Sequence, residues 1–132
     1  MAGRSIVQDA LVIDLRKLAY TKISASRTTV RIGGGTLATQ VGADLSKEGL
    51  ATAVGNTARV GYVGWAVYGG YGPCNALYGL GIDNIVGATV VNAKGEVVDA
   101  DDELLKGIRG AGGALGVITE VEVKVYPLKT VS

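Results

Sequence analysis

Glycine is concentrated in one segment of this sequence, VGYVGWAVYGGYGP (residues 60–73), and that concentration constrains the backbone more than any other feature. Five of the fourteen residues are glycine and four are tyrosine or tryptophan. Glycine loses the most conformational freedom on folding, so this density weakens helices and strands alike. Large rings, in contrast, favour a packed interior. A ligand that contacts the main chain is one reason for such a segment to exist.

The composition predicts one folded domain that would need a cofactor for any chemistry. The chain has 132 residues, 48% of them hydrophobic, and a net charge of +1, which gives no electrostatic case for nucleic acid or an anionic membrane as partner. It has no histidine and one cysteine, Cys74, so no metal centre is expected, and Cys74 itself is expected to be a small core residue. Residues 1–10 lack the apolar core of a signal peptide, and no run reaches the roughly 18 apolar residues of a membrane span, so the default expectation is cytoplasmic.

Hydrophobic periodicity predicts strands and helices in mixed order. Strands are predicted at 10–15, 28–35 and 117–125, an edge strand around TKIS, and a hairpin where IVGATVV and GEVVDA flank NAKG. The strand at 10–15 is expected to be buried because it is a continuous apolar run.

Helices are predicted at residues 36–49, with Thr36 as N-cap and Gly49 as stop, and at 101–108, where acidic residues occupy the first turn. A shorter helical turn is predicted to end at Gly79. The mixed order and the antiparallel hairpin together predict an α+β fold, with a mixed or antiparallel sheet flanked by helices.

Three glycine clusters stand out: Gly33–Gly35, Gly55 with Gly61–Gly72, and Gly110–Gly116. Successive backbone N–H groups in such loops can hold phosphate without a lysine. Turns and close packing are the alternative explanation for each cluster. The nucleoside triphosphate loop motif is missing, and GAGGALG follows a helix and precedes a strand, the wrong context for a dinucleotide-binding turn. The residues alone therefore name no ligand.

Nearly the whole chain, from about Gly3 to Pro127, resembles a known family through the ordered stretches GNTARVGYVGWAVYGGYGPCNALYGLGIDNIVGATVVNAKGEVVDA and RGAGGALGVITEVEVKVYP. They are similar to the FAD-binding domain of the vanillyl-alcohol oxidase and p-cresol methylhydroxylase superfamily, and most of all to the berberine-bridge-enzyme-like oxidases. The resemblance implies a PCMH-type fold with FAD as cofactor. It also implies a parent enzyme in which the flavin takes a hydride from an alcohol or amine and oxygen reoxidises it.

In that family, the segment matching residues 55–72 wraps FAD with backbone amides, while the rings pack behind it. The resemblance implies no catalytic residue and no metal ligand in this chain. The cofactor-binding residues that it implies are Gly55, Asn56, Thr57, Ala58, Val60, Gly61, Gly64, Gly69, Gly72, Ile82, Asp83, Gly116, Val117 and Ile118.

Some positions depart from the family pattern. Thr57 stands where many members have a cysteine bonded to the flavin, so FAD is expected to be non-covalent. Val63 and Tyr68 replace glycines and are expected to crowd the cofactor side. Residues 1–132 match only the second half of the domain, as one unit without the N-terminal pyrophosphate-loop subdomain or the substrate domain.

Two hypotheses follow. The first is the FAD-binding module of a truncated flavin-dependent oxidoreductase that acts on a small molecule. The alternative is a degenerate, flavin-free domain that acts through protein contacts or self-association. An apolar cleft wall left uncovered would favour a homo-oligomer in either case. Arg109 is expected to meet phosphate or to form a surface ion pair, and Asp101 and its acidic neighbours are expected to cap a helix.

Overall fold

A computed structural model describes residues 7–128, which form a five-stranded antiparallel sheet, a two-stranded sheet and several short helices. The strands are β1 Thr21–Ile23, β2 Thr29–Gly33, β3 Leu50–Ala51, β4 Ile85–Val91, β5 Val97–Asp99, β6 Val117–Lys124 and β7 Tyr126–Pro127. The helices are α1 Ala38–Lys47, α2 Tyr62–Ala66, α3 Asn75–Tyr78, α4 Gly81–Asn84 and α5 Asp102–Ala111, followed by a 3-10 turn at Gly112–Leu115. The predicted α+β class is confirmed.

The central strand of the larger sheet is β6, in the order β1-β2-β6-β4-β5, and every pairing is antiparallel. The register between β4 and β6 shifts at Thr119, because Thr89 pairs with Glu120 whereas Val90 pairs with Ile118. The shift interrupts the strict alternation that the sequence predicted for residues 117–125. As a result Ile118 and Val121, three residues apart, are both buried.

The core lies between one face of the sheet and the helices. Buried side chains of β2, β4 and β6 form one cluster with those of α1, α2 and α5. The opposite face is polar where Arg31 lies between Glu120 and Glu122, at N–O distances of 3.6 and 3.8 Å. One covered face and one polar face is the usual arrangement of an antiparallel sheet. Between residues 7 and 128, the helices are all too short or too polar to cross a membrane.

Several predicted elements are confirmed. The hairpin forms from β4 and β5, and Asn92 Oδ1 accepts hydrogen bonds from the amides of Lys94 and Glu96 in its turn. The TKIS strand is β1, at one edge of the sheet. The acidic cap of α5 is also confirmed, because Asp101 Oδ1 accepts from the Leu104 amide at 2.9 Å.

The predicted buried strand at 10–15 is wrong. This segment has no regular secondary structure and is exposed, with Leu11 90% and Ile13 59% accessible. A strand needs a hydrogen-bonded neighbour, and none of the described strands pairs with these residues. Local composition fits a strand here, but composition does not supply the partner.

Two further predictions are corrected at the ends of helices and in the glycine segment. Leu37, not Thr36, is the N-cap of α1, because the Thr36 hydroxyl is buried and donates to the Tyr20 carbonyl at 3.0 Å. The predicted stop is confirmed, since Gly49 follows the cap with φ of +66°. The glycine segment is not all loop, because burial of Tyr62, Val63 and Ala66 stabilises one turn of helix, α2.

Candidate cofactor-binding site

The three glycine clusters meet around α2, at one end of the sheet. The Gly34 amide donates to the Thr119 carbonyl at 2.7 Å, which joins the first cluster to β6. The Tyr62 amide donates to the Thr36 carbonyl at 2.9 Å, and the Gly110 amide donates to the Val67 carbonyl at 2.9 Å. These bonds tie residues 33–36 and 110–116 to the segment 55–72. We call residues 33–36, 55–72 and 110–116 together the glycine-rich surface.

The loop before α2 exposes main-chain donors. Asn56, Thr57 and Ala58 are exposed, and their amides donate to no other group in residues 7–128. The Ala58 carbonyl, in contrast, accepts from the Thr39 hydroxyl, which holds the loop against α1. Free N–H groups of consecutive residues suit phosphate oxygens, because each main-chain group can donate to the ligand directly, without a side chain between them.

Gly61 and Gly64, just before α2 and inside it, have no internal reason to be glycine. A Cβ added at Gly61 or Gly64 would meet no atom of the described chain within 4 Å. Gly61 has φ of −62°, which any residue adopts, and Gly64 lies inside α2. Alanine is preferred over glycine inside a helix by about 0.5–1 kcal/mol. We call Gly61 and Gly64 the open glycines, and a ligand that approaches the main chain is a sufficient reason for them.

Other glycines on this surface or next to it are fixed by packing. A Cβ at Gly72 would lie 2.0 Å from the Val54 carbonyl oxygen, and one at Gly70 would lie 2.5 Å from the Gly81 Cα. One at Gly81 would lie 2.9 Å from the Ala66 Cα. We call Gly70, Gly72 and Gly81 the packed glycines. They let the turn after α2, the loop before it and α4 touch through their backbones.

Ile82 and Asp83 lie next to the turn that follows α2. The Ile82 amide donates to the Gly69 carbonyl at 3.2 Å, so the structure brings these two predicted site residues together. The Asp83 carboxylate accepts from the Leu80 amide at 2.9 Å and thereby caps α4. The main chain at Ile82 thus contacts the turn that contains Gly69, whereas the Asp83 carboxylate is hydrogen-bonded at the start of its own helix.

Gly116 directly precedes β6, and Val117 and Ile118 are its first residues. A Cβ at Gly116 would lie 2.6 Å from Val90 Cγ1. The Ile118 side chain is buried, and its carbonyl would lie 2.6 Å from a Cβ at Gly34. Within residues 7–128, these three residues make no hydrogen bond to the segment 55–72. The turn at residues 33–36 lies between residues 116–118 and the segment 55–72, which are two separate parts of the predicted site.

The four rings of the glycine segment have different environments. Tyr62 is fully buried, and burial raises the pKa of its phenol above the usual value. Trp65 is half-buried, while Tyr68 and Tyr71 are exposed, the latter to 81%. The expectation that all the rings pack behind the segment is therefore right only for Tyr62 and Trp65. The Tyr68 ring lies over Gly112, since a Cβ there would be 2.6 Å from its Cζ.

Two expectations about individual side chains are wrong. Val63 is 5% exposed and belongs to the core, so its side chain does not crowd the exposed surface. Arg109 forms no surface ion pair among the described residues and instead donates from Nε to the Ile85 carbonyl at 2.9 Å. Nε and one Nη of the guanidinium donate to this carbonyl and the remaining N–H groups do not, so the phosphate contact stays a prediction. Cys74, which was expected to be a small core residue, is only partly buried.

Asn84, which was not among the predicted site residues, is fully buried and joins α3 and α4 to β7. Its Nδ2 donates to the carbonyls of Tyr78 and Leu80 at 2.9 and 2.8 Å, and its Oδ1 accepts from the Tyr126 hydroxyl at 2.9 Å. The Tyr78 and Tyr126 rings stack at 4.8 Å. The available signal in the sequence was an asparagine directly before an apolar strand, a position that favours burial. A buried side-chain amide must be hydrogen-bonded, so such a residue is a candidate for joining several elements.

Comparison with known proteins gives one consistent result. Residues 1–101 match the FAD binding domain family. An FAD-linked oxidoreductase of Gibberella zeae is 44% identical over 131 residues, and (R)-6-hydroxynicotine oxidase of Paenarthrobacter nicotinovorans is 42% identical over 130. These alignments cover 98% and 96% of this chain but 26% and 28% of those relatives. The chain thus spans about a quarter of the length of the curated relatives that it matches.

Solved structures agree with the sequence matches. The crystal structure of 6-hydroxy-D-nicotine oxidase from Arthrobacter nicotinovorans matches with a TM-score of 0.89 at 39% identity, covering 95% of this chain and 28% of that one. A berberine-bridge-enzyme-like protein of Arabidopsis thaliana matches with a TM-score of 0.82 at 34% identity, covering 87% and 25%. The resemblance seen in the sequence is confirmed. The chain belongs to the FAD binding domain family of flavin oxidoreductases, with FAD as its cofactor.

Proposed function

We propose that this chain forms part of the FAD-binding surface of a flavin-dependent oxidoreductase that oxidises an alcohol or amine and passes the electrons to oxygen. The single observation that carries the proposal is the pair of open glycines beside free amides. Gly61 and Gly64 leave the main chain uncovered, next to the exposed loop that contains Asn56, Thr57 and Ala58. These features fit a ligand that combines phosphate with a flat ring system.

The residues divide by the contact that each can make with FAD. The amides of Asn56, Thr57 and Ala58 suit the phosphates, while the open glycines suit close approach of the cofactor to α2. The remaining proposed contacts flank these two groups: Gly55, Val60, Gly69, Gly72, Ile82, Asp83, Gly116, Val117 and Ile118. Thr57 offers a hydroxyl where a thiol would be needed for a covalent bond, so binding is non-covalent.

Bound FAD supplies the hydride acceptor, and the chain's residues bind and orient it. We assign no general acid or base to this chain. Amides held by the fold need no reorganisation when a phosphate arrives, which is why fixed main-chain donors serve a cofactor well. The flavin-free alternative is not favoured, since the FAD binding domain family matches residues 1–101. The self-association expected from the sequence stays a prediction that light scattering can test.

The test is the visible absorption spectrum of the purified protein, before and after addition of FAD and removal of the excess by gel filtration. We expect flavin bands to co-elute with the protein at near-stoichiometric level, and to disappear after denaturation because no covalent bond holds the cofactor. A protein that is folded by circular dichroism but elutes without flavin would contradict the proposal. Where flavin is retained, anaerobic bleaching by candidate alcohols and amines identifies the substrate class.

A further inference from the structure

We propose that Trp65 is a positioning residue that sets the spacing between the segments of the glycine-rich surface. The inference deepens the proposed function and rests on it for the effect on FAD. Trp65 is the only tryptophan in the chain and lies in α2, between the loop that ends at Gly61 and the turn that begins at Gly69.

The indole contacts three separate pieces of main chain. A Cβ at Gly55 would lie 3.1 Å from Trp65 Nε1, so the pyrrole edge lies against the loop before α2. The same Nε1–H donates to the Tyr71 carbonyl at 2.9 Å, in the turn after α2. A Cβ at Gly81 would lie 3.0 Å from Trp65 Cζ3, so the other edge lies against α4.

The contact with α4 extends to the turn after α2 through two hydrogen bonds. The Gly81 amide donates to the Gly70 carbonyl at 2.9 Å, and the Ile82 amide donates to the Gly69 carbonyl at 3.2 Å. A change in the position of Gly81 therefore moves the Gly69–Gly70 turn. The glycines at these contacts have no side chains of their own, so the indole that lies between the segments helps to set their spacing together with these backbone hydrogen bonds.

The neighbouring rings do not share this arrangement. Tyr62 packs against Trp65 with ring centroids 5.6 Å apart but lies fully inside the core, and Tyr71 contributes its carbonyl while its side chain is 81% exposed. Trp65 contacts the loop before α2, the turn after it and α4. Tyr71→Leu is consequently a matched control, since it removes a ring from the same segment and keeps the carbonyl.

The first experiment measures amide hydrogen exchange by NMR in the cofactor-free full chain, for wild type, Trp65→Leu, Trp65→Phe and Tyr71→Leu. The reporters are the hydrogen-bonded amides of Gly72, Gly81 and Ile82. In Trp65→Leu we expect their exchange to accelerate by about tenfold more than that of Val121 and Val123 in β6. Trp65→Phe fills most of the space and should stay within about threefold of wild type, and Tyr71→Leu should not change. Equal acceleration at all these amides, or none at the reporters, would overturn the proposal.

The second experiment measures the FAD dissociation constant of the same proteins by equilibrium dialysis. We expect Trp65→Leu to bind FAD about tenfold more weakly than wild type and Trp65→Phe to restore most of the affinity. Wild-type affinity in a Trp65→Leu protein would overturn the positioning role. If wild type itself binds no FAD, the proposed function fails, while the exchange experiment still decides whether Trp65 sets the spacing.

Discussion

The packed glycines and the open glycines lie side by side on one surface, and they are glycine for different reasons. Gly70, Gly72 and Gly81 each have backbone atoms of another segment within 3 Å of where a Cβ would be. Gly61 and Gly64 face nothing within 4 Å and have ordinary backbone conformations. The packed glycines allow the backbones of neighbouring segments to touch, whereas the open glycines leave the main chain accessible to a ligand. The difference shows that glycine density alone does not identify a ligand site.

The largest effect is expected for Gly70→Ala. Its Cβ would lie 2.5 Å from the Gly81 Cα, and its φ of +74° disfavours any side chain. Crowding costs about 1–3 kcal/mol and a left-handed conformation about 1–2 kcal/mol, so we expect the free energy of unfolding to fall by about 3 kcal/mol or more. Urea titration followed by circular dichroism measures this. A loss below about 1 kcal/mol would show that the two segments separate easily.

A smaller effect is expected for Gly69→Ala, the neighbouring position. Gly69 has φ of +115° but open space at its Cβ, so only the backbone conformation opposes a side chain. We expect a loss of about 1–2 kcal/mol in the same urea titration. A loss equal to that of Gly70→Ala would mean that conformation, and not close contact, distinguishes these glycines from the open ones.

The smallest effect, with the opposite sign, is expected for Gly64→Ala in the absence of FAD. The substitution removes backbone freedom from the unfolded chain and adds no contact in α2, so the free energy of unfolding should rise by up to about 1 kcal/mol. Gly42→Ala in α1 is the matched control, because a Cβ at Gly42 also meets nothing within 4 Å. Destabilisation of Gly64→Ala alone would place Gly64 with the packed glycines.

Much of the fold could be predicted from the sequence, because local chemistry determines it. The α5 cap at Asp101 and the hairpin turn at Asn92 both depend on residues close in sequence. The error at 10–15 arose because a strand needs a partner that no local pattern supplies. Helix α2 was missed because burial of Tyr62, Val63 and Ala66 in the core offsets the low helix propensity of glycine.

The residues of the candidate site stay a prediction, and the sequence could not show how they are arranged on a surface. The resemblance implied Gly61, Gly64 and Gly72 alike, and only the distances from other segments divide them into open and packed. From the sequence, Arg109 was expected to meet phosphate or to form a surface ion pair. Only the structure shows that its guanidinium donates to the Ile85 carbonyl. These features depend on contacts between residues that are distant in sequence, and a local sequence pattern carries no information about such contacts.

If the open glycines are kept for FAD, the FAD dissociation constant must change in Gly64→Ala, measured beside wild type and Gly42→Ala. We expect Gly64→Ala to bind FAD at least about tenfold more weakly, although its cofactor-free form is the more stable, because the added methyl would lie between the main chain and the cofactor. Gly42→Ala should gain the same stability and keep wild-type affinity. Unchanged affinity in Gly64→Ala would show that Gly64 is not kept for FAD.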